Sequence, residues 1–212
     1  GSLPIYSVEN GSCATIETLR VFAYGTDSVD TRFYENYYAD TMFDLNGDTI
    51  RLDNGTPLVY LPLEVRLDLS RLPAEKTAGA RMKKYEIDKM GTKDGKLSDN
   101  DIVLFRYADV LLMRSEAKVR NGENGDEELN AVRFRVGMLP RKATLENILA
   151  ERQLELAWEG WRRQDLVRFG KFTRPYTDRP QLPHESNGYT TVFPIPDKVR
   201  SLNPNLTQNP GY

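Results

Sequence analysis

The spacing of hydrophobic and polar residues changes along the chain and divides it into three zones. Residues 1–100 hold short alternating segments separated by Asn-Gly and Pro positions, which is typical of short strands and loops. Residues 101–170 change to a helical period, with apolar residues three and four positions apart. Residues 171–212 are rich in proline and cannot be helical throughout, although their apolar residues predict a packed tail. We interpret 1–212 as a single domain made of these three parts.

The first zone contains two Asn-Gly pairs that predict tight turns. Apolar pairs flank Asn46-Gly47 on both sides, and this arrangement predicts a β-hairpin. Asn54-Gly55 precedes the apolar run 58–61, and the following Pro62 predicts an edge strand or an irregular one. Helical spacing over Thr15–Tyr24 predicts one short helix in the same zone.

The helical zone predicts three helices separated by turn residues. Asn121-Gly122 ends helix A, and helix B follows over about Asp126–Val136. Helix C begins after Thr144 and continues to about Gly160, or to Phe169 if it passes that glycine. Helix A is apolar on more than one face, which predicts that it packs between neighbours. Its apolar residues are Leu104, Phe105, Tyr107, Ala108, Val110, Leu111, Leu112 and Met113.

Helices in this order indicate units of a helical solenoid. The predicted fold class is mainly α with short β-hairpins (α+β), in which tetratricopeptide-like helices lie beside an irregular strand and loop region.

Composition then narrows the classes of function. The 29 basic and 31 acidic side chains, with a pI near 5.6, argue against a nucleic-acid surface. No apolar run is long enough to span a bilayer. Cys13 is the single cysteine and His184 the single histidine, which excludes an internal disulfide framework and a Cys/His zinc site. We therefore expect no metal and no cofactor.

Helix C carries charges within its apolar stripe. At about 100° per residue, Arg152, Glu155 and Glu159 share a face with Ile148. Isolated buried charges are costly, so we expect these to be paired. The predicted ion-pair network, which would fix how helix C meets the segment after it, consists of Arg152, Glu155, Glu159, Arg162, Arg163 and Asp165.

Glu155 and Glu159 also admit an enzymatic interpretation, as the two carboxylates of a glycoside hydrolase. That chemistry requires two carboxylates that face a sugar across an open cleft and have separated pKa values. Residues four apart stand side by side on one helix instead, with arginines nearby to hold both ionised. We therefore expect no catalytic residue and keep the hydrolase as an alternative.

An aromatic group in a polar segment is the best candidate for a binding surface. Tyr34, Tyr37 and Tyr38 follow Phe33 among acidic and amide residues. Aromatic faces with polar tips suit stacking on sugars, and they equally suit an ordinary half-buried helix or strand. These three tyrosines are the candidate sugar-binding residues.

From helix A to the C-terminus, the order of motifs resembles that of the SusD/RagB outer-membrane nutrient-binding lipoproteins of Bacteroidetes. The motifs that carry the resemblance are Phe105–Ala117, Leu129–Gly137, Glu151–Gly170, Phe193–Pro196 and Asn203–Tyr212. Weaker similarity is present at Asp30–Phe33 and Gly79–Tyr85. In the family's order, these motifs cover roughly residues 15–212.

This resemblance implies a non-catalytic protein that captures an oligosaccharide or polysaccharide at the surface of the outer membrane. It also implies a SusC-like TonB-dependent transporter as partner, and a lipid anchor as the only link to the membrane. Full-length members of the family are much longer and carry the lipidated cysteine in their N-terminal half, so we expect this sequence to be a C-terminal fragment. The glycan-contacting aromatics of the family share no motif, so the resemblance assigns none here. A scaffold that only docks on the transporter is the remaining alternative.

Overall fold

The computed structural model describes residues 12–65, 77–85, 100–177 and 179–212. The chain forms two compact units, Gly1–Gly160 and Trp161–Tyr212. The boundary therefore lies inside the zone 101–170 that the sequence pattern treats as one helical block.

The described elements of the first unit are mostly helical, with two short antiparallel strand pairs. They are α1 Ile16–Val21, α2 Phe33–Asn36, β1 Tyr37–Tyr38, β2 Asp40–Thr41, β3 Val59–Tyr60, β4 Arg81–Met82, α3 Tyr107–Arg120, α4 Asp126–Arg135 and α5 Leu145–Glu155. Strand β1 pairs with β4, with Tyr37 opposite Met82, and β2 pairs with β3, with Asp40 opposite Tyr60.

Both predicted Asn-Gly turns are present. Across the first, the amide of Asp44 donates to the carbonyl of Asp48 at 2.9 Å, and across the second Leu52 donates to Thr56 at 2.8 Å. The two turn glycines have φ of +86° and +81°, a conformation that glycine adopts without steric cost. The local turn chemistry therefore determines this part of the backbone.

The core of the first unit forms where α1, α2 and β1 meet the end of α5. Leu19, Phe22 and Phe33 are 0–2 % exposed, and Leu154 of α5 is 1 % exposed. The predicted short helix is present as α1, and the Thr15 hydroxyl caps it by accepting the Thr18 amide at 3.3 Å. This packing holds α2 and β1 against α5.

Helix α3 corresponds to predicted helix A, but the expectation that it packs between neighbours on several faces is wrong for the described residues. Its buried face carries Leu112, while Tyr107, Val110 and Met113 are 75, 47 and 43 % exposed. Helices α4 and α5 pack on α3, and they leave the side with these three residues uncovered. Leu104 and Phe105 precede the helix and are 70 and 71 % exposed.

Helix α5 corresponds to predicted helix C, but it is shorter than predicted. Its start agrees, because the hydroxyl of Thr144 accepts the amide of Asn147 at 3.1 Å. It ends at Glu155, and the extension to Gly160 or Phe169 is wrong. Trp158 and Gly160 have φ of +66° and +80°, and a right-handed helix cannot continue through left-handed residues.

The described part of the second unit contains four short helical elements, and side-chain hydrogen bonds within its C-terminal tail hold that tail together. Its elements are α6 Arg162–Arg168, single 3₁₀ turns at Glu185–Asn187 and Tyr189–Thr191, and α7 Asp197–Leu202. The side-chain amide of Gln208 accepts the Ile195 amide at 2.8 Å and donates to its carbonyl at 3.0 Å. No helix within the described ranges is long and apolar enough to cross a membrane.

Glu185 in the second unit is fully buried and strongly hydrogen-bonded. Arg179 donates to it at 2.5 Å, the Leu182 amide at 2.9 Å and the Thr190 hydroxyl at 2.8 Å. The hydrogen bond from Arg179 is the main cause that holds the pKa of Glu185 at about 2, against the opposing effect of burial.

The lowered pKa of Glu185 predicts a loss of stability in acid. A depressed carboxyl pKa contributes stability above the ordinary value of 4.5, and this contribution disappears as the pH falls toward 2. In thermal melts, Glu185→Gln is expected to lower the Tm clearly at about pH 7 and much less at about pH 2. A Tm difference that stays constant over this range would contradict the ionised, hydrogen-bonded state of Glu185.

Candidate functional site

A cavity of about 620 Å³ opens on the first unit. Its wall comes from α2, β1, the segment after β4, the segment before α3, and the ends of α4 and α5. The lining residues are Arg32, Glu35, Asn36, Tyr38, Lys83, Lys84, Tyr85, Val103, Arg106, Arg135, Val136, Glu155 and Glu159. The volume lies within the range of about 300–1,000 Å³ that ligand pockets show.

Glu155 lies under this cavity, and three arginines hold its carboxylate. Arg106 donates to it at 2.6 Å, Arg135 at 2.8 Å and Arg32 at 2.9 Å. The Glu155 side chain is 2 % exposed. Burial alone would raise the pKa of Glu155, but the hydrogen bonds from Arg106 and Arg32 outweigh it and hold the pKa below its ordinary value.

Glu159 is the second carboxylate of the cavity wall. Arg106 Nε donates to it at 2.8 Å, and Lys84 Nζ forms a further ion pair with it. Arg106 therefore bridges both glutamates, and the Lys84 ammonium also donates to the carbonyl of Glu155 at 2.8 Å. Burial lowers the pKa of Lys84, and the hydrogen bond to Glu159 opposes this effect.

The surroundings of the two carboxylates differ from those of a glycoside hydrolase pair. A glycoside hydrolase needs one carboxyl group with a raised pKa as general acid. Glu155 has the opposite shift, and both Glu155 and Glu159 are engaged by cations. The described residues contain no group of three or more His, Cys, Asp or Glu that could hold a metal ion.

The six charged residues predicted to form one network have different surroundings. Arg152 pairs with Asp109 of α3 at 2.7 Å, and both side chains are nearly fully buried. Glu155 and Glu159 face the cavity. Their partners Arg32, Arg106 and Arg135 are distant in sequence and carry no periodic signal, so the pairing was not predictable from the sequence.

The remaining three members lie in the second unit, because the helix ends before Gly160. Asp165 accepts from Arg168 at 2.8 Å. Burial lowers the pKa of Arg162, with the charge of Asp165 opposing the shift. The guanidinium of Arg163 lies 4.2 Å from the ring centroid of Phe193.

The three candidate tyrosines also differ in their burial and surroundings. Tyr38 of β1 is 38 % exposed and lines the cavity, while Tyr34 is 46 % exposed but is not among the lining residues. Tyr37 is 4 % exposed and stacks on Phe33 at 5.2 Å, and burial raises the pKa of its hydroxyl. As neighbours on a strand, Tyr37 and Tyr38 point to opposite faces, so Tyr37 belongs to the core and offers no face to a ligand.

Tyr85 is a cavity residue that the sequence pattern does not single out. It is 38 % exposed, lines the wall and has φ of +66°, an unusual value for a bulky residue. Burial first and Glu159 second raise the pKa of its hydroxyl. Its only signal in the sequence is its position at the end of Gly79–Tyr85, one of the two weaker motifs that resemble the family.

Comparison with known proteins gives consistent results. The sequence model of the SusD family matches residues 26–212. The starch-binding protein SusD of Bacteroides thetaiotaomicron is 33 % identical over 135 residues, which are 60 % of this chain and 24 % of that protein.

Two solved structures extend the comparison. A laminarin-binding SusD-like protein is 31 % identical, with a TM-score of 0.50 over 63 % of this chain and 29 % of its own. Surface glycan-binding protein A from Bacteroides uniformis is 20 % identical, with a TM-score of 0.64 over 93 % of this chain and 40 % of its own. The predicted fold class, mainly α with short strand pairs, is confirmed.

Proposed function

Since the chain belongs to the SusD family, we propose that it takes part in nutrient uptake by binding a glycan without cleaving it. The matched region covers about a quarter of the curated relatives, at 24 and 25 % of their lengths. Their names support the class of ligand, because one is a starch-binding protein and a solved relative binds laminarin. The ligand we propose for this chain is an oligosaccharide or a segment of a polysaccharide.

One observation carries the proposal, namely the exposed aromatic and polar wall of the 620 Å³ cavity. The rings of Tyr38 and Tyr85 offer apolar faces for a sugar ring, and both are 38 % exposed. Asn36, Lys83 and Arg135 contribute amide, ammonium and guanidinium groups beside them. A few polar groups among aromatic surfaces are what a small-molecule site uses to orient its ligand.

The same wall supports binding without hydrolysis. Glu155 is held ionised by three guanidinium groups, so it cannot act as the proton donor that glycosidic cleavage needs. A glycan would leave such a site chemically unchanged.

For the whole protein we propose a place at the outer membrane. The family supports a lipid-anchored protein on the cell surface with a SusC-like TonB-dependent transporter as its partner. Family membership supports the proposed lipid anchor and transporter partner, whereas the structure of this chain supports the proposed binding cavity. A scaffold that docks on the transporter without binding glycan is the competing function.

Tyr38→Ala is expected to weaken glycan binding about tenfold, because it removes an exposed ring from the cavity wall; aromatic stacking contributes about 0.5–1.5 kcal/mol. Tyr34→Ala tests whether the neighbouring exposed ring contributes as well. A glycan array with the intact chain would identify a ligand, and calorimetry would then compare the variants. Tyr176→Ala, in the second unit and 41 % exposed, is the matched control.

Each competing function predicts a different result in this experiment. Absence of binding to any glycan, together with capture of the chain by the transporter, would favour the scaffold. Release of shorter sugars by the wild-type chain that is abolished in Glu155→Gln, while circular dichroism shows this variant to be folded, would establish the hydrolase instead. Equal affinity of Tyr38→Ala and wild type would refute the assignment of the cavity.

A further inference from the structure

The charged side chains at the 620 Å³ cavity form a buried group and a group that faces the cavity. In the buried group, Arg32 pairs with Asp30 at 2.8 Å, and Arg133 pairs with Glu151 at 2.6 Å. All four side chains are at most 6 % exposed. Their two positive and two negative charges balance, so the buried group has no net charge that would attract a ligand.

In the group that faces the cavity, the cations are more accessible than the carboxylates. The side chains of Glu155 and Glu159 are only 2 and 1 % exposed. The three cations that pair with them are 19, 26 and 59 % exposed, namely Lys84, Arg106 and Arg135. A ligand that enters the cavity therefore meets ammonium and guanidinium groups before it meets either of these carboxylates.

Arg135 and Lys83 have N–H groups left for an anion. Within the described part of the chain, Arg135 is hydrogen-bonded only through Nη2, which donates to both oxygens of Glu155 at 2.8 and 2.9 Å. Lys83 Nζ donates to the carbonyl of Tyr34 at 2.6 Å, and this bond uses one of its three N–H groups. A guanidinium presents its N–H groups as a planar fork that matches the oxygens of an anionic group, and an ammonium adds a compact charge beside it.

Glu35 is the exposed carboxylate that opposes these cations. It lines the cavity from α2. Even with Glu35, the group that faces the cavity has four cations against three carboxylates, because Lys83 lies there as well. The cavity therefore carries an excess of positive charge, although the whole chain has a net charge of −2. A cleft concentrates the field of such a charge and attracts ligands of the opposite sign.

We propose that the cavity selects an acidic glycan, whose carboxylate or sulfate group is bound by Arg135 and Lys83. The inference rests on the proposed glycan-binding function and names the class of sugar. A sugar ring packs on Tyr38, and its anionic group accepts from the N–H groups that the glutamates leave unused. Hydrogen bonds to an ionised group are about twice as strong as neutral ones, so the same sugar without its charge binds more weakly.

Sugars that differ only in charge test this selection. A glycan array with the intact chain compares an oligogalacturonate with its methyl ester and a carrageenan oligosaccharide with its desulfated form, beside neutral starch and laminarin oligosaccharides. The charged member of one pair is expected to bind about tenfold more tightly than its neutral counterpart at low salt. This preference is expected to shrink at about 0.5 M salt, because salt screens the charges. The pair that shows it identifies the anionic group as a carboxylate or a sulfate.

Substitutions of opposite sign locate the selecting charge. Arg135→Gln and Lys83→Gln are each expected to weaken binding of the charged sugar about fivefold to tenfold in calorimetry, whereas Glu35→Gln is expected to strengthen it. The affinity for the neutral counterpart is expected to stay the same in all three variants. Lys142→Gln replaces an exposed lysine outside the lining residues and is the matched control. Should Arg135→Gln not fold by circular dichroism, Lys83→Gln and Glu35→Gln decide the question.

Failure of the inference and failure of the proposed function give different results. If neutral glycans bind as tightly as the charged ones, the selection for an acidic sugar is refuted while glycan binding stands. If Lys142→Gln weakens binding of the charged sugar as much as Lys83→Gln does, the attraction comes from the protein surface in general and the assignment to the cavity is refuted. If no glycan on the array binds the wild-type chain, the proposed function fails and the inference with it.

Discussion

Replacing Glu155 by Gln is expected to lower the free energy of unfolding by about 3–5 kcal/mol, the cost of removing one partner from a buried ion pair. The substitution preserves the size of the side chain but removes the charge that three arginines share. Arg32, one of the three, has a side chain only 6 % exposed and also pairs with Asp30 and Glu151 at 2.8 Å, so it would lose one of three carboxylate partners without gaining water. The side chain of Arg135 is 59 % exposed and can return to solvent, so most of the penalty comes from Arg32 and Arg106.

Urea unfolding of wild type and Glu155→Gln measures this loss. The control is Glu146→Gln, an exposed glutamate in the first turn of the same helix. Its loss is expected to stay below about 1 kcal/mol, because it concerns only the helix dipole. A loss of less than about 1 kcal/mol for Glu155→Gln would show that water reaches the cluster and that the buried pairing contributes little.

Tyr37→Ala is expected to destabilise the protein by about 3–5 kcal/mol, as truncation of a large buried aromatic does. Its ring packs against Phe22, Phe33 and Trp158, with centroids 5.4, 5.2 and 5.6 Å away. Removing the ring opens a cavity at the junction of α1, α2 and α5. Tyr37→Phe keeps the ring and is expected to cost little.

The neighbouring tyrosine provides the comparison for Tyr37. Tyr34→Ala is expected to cost less than about 1 kcal/mol, because 46 % of Tyr34 is exposed, against 4 % of Tyr37. Thermal or urea unfolding of the two alanine variants separates the core residue from the surface residue. Equal losses of unfolding free energy in both variants would contradict the burial of Tyr37. A change in glycan affinity without loss of stability in Tyr37→Ala would show that Tyr37 belongs to the binding surface.

Features set by neighbouring residues were predictable from the sequence. The two Asn-Gly turns form because their glycines adopt positive φ. The Thr144 cap and the Asn121-Gly122 stop identify a helix start and a helix end, because unpaired backbone groups need partners at helix termini. The family motifs were likewise readable in the sequence, and the family match over residues 26–212 agrees with them.

Features that depend on distant contacts were not predictable. Glu155 was expected to find its partners on its own helix and the segment after it, but Arg32 comes from a position 123 residues away and Arg106 from one 49 residues away. Such long-range ion pairs leave no periodic pattern in the sequence, because the two partners come together only when the chain folds. The end of α5 was misplaced for the same reason, since a bulky residue with positive φ at Trp158 is held by tertiary packing.

The sequence by itself determined the family, the mainly helical fold class and the turns, because those depend on motifs, caps and glycines within a few residues. Only the tertiary structure decided that Tyr37 lies in the core while Tyr38 lines a cavity, and that Glu155 is held ionised by three arginines. Adjacent side chains on a strand face opposite ways, and the burial of each depends on what the rest of the fold packs against that face. Whether an aromatic or a carboxylate can meet a ligand is therefore settled by three-dimensional packing, which residue type and spacing alone do not specify.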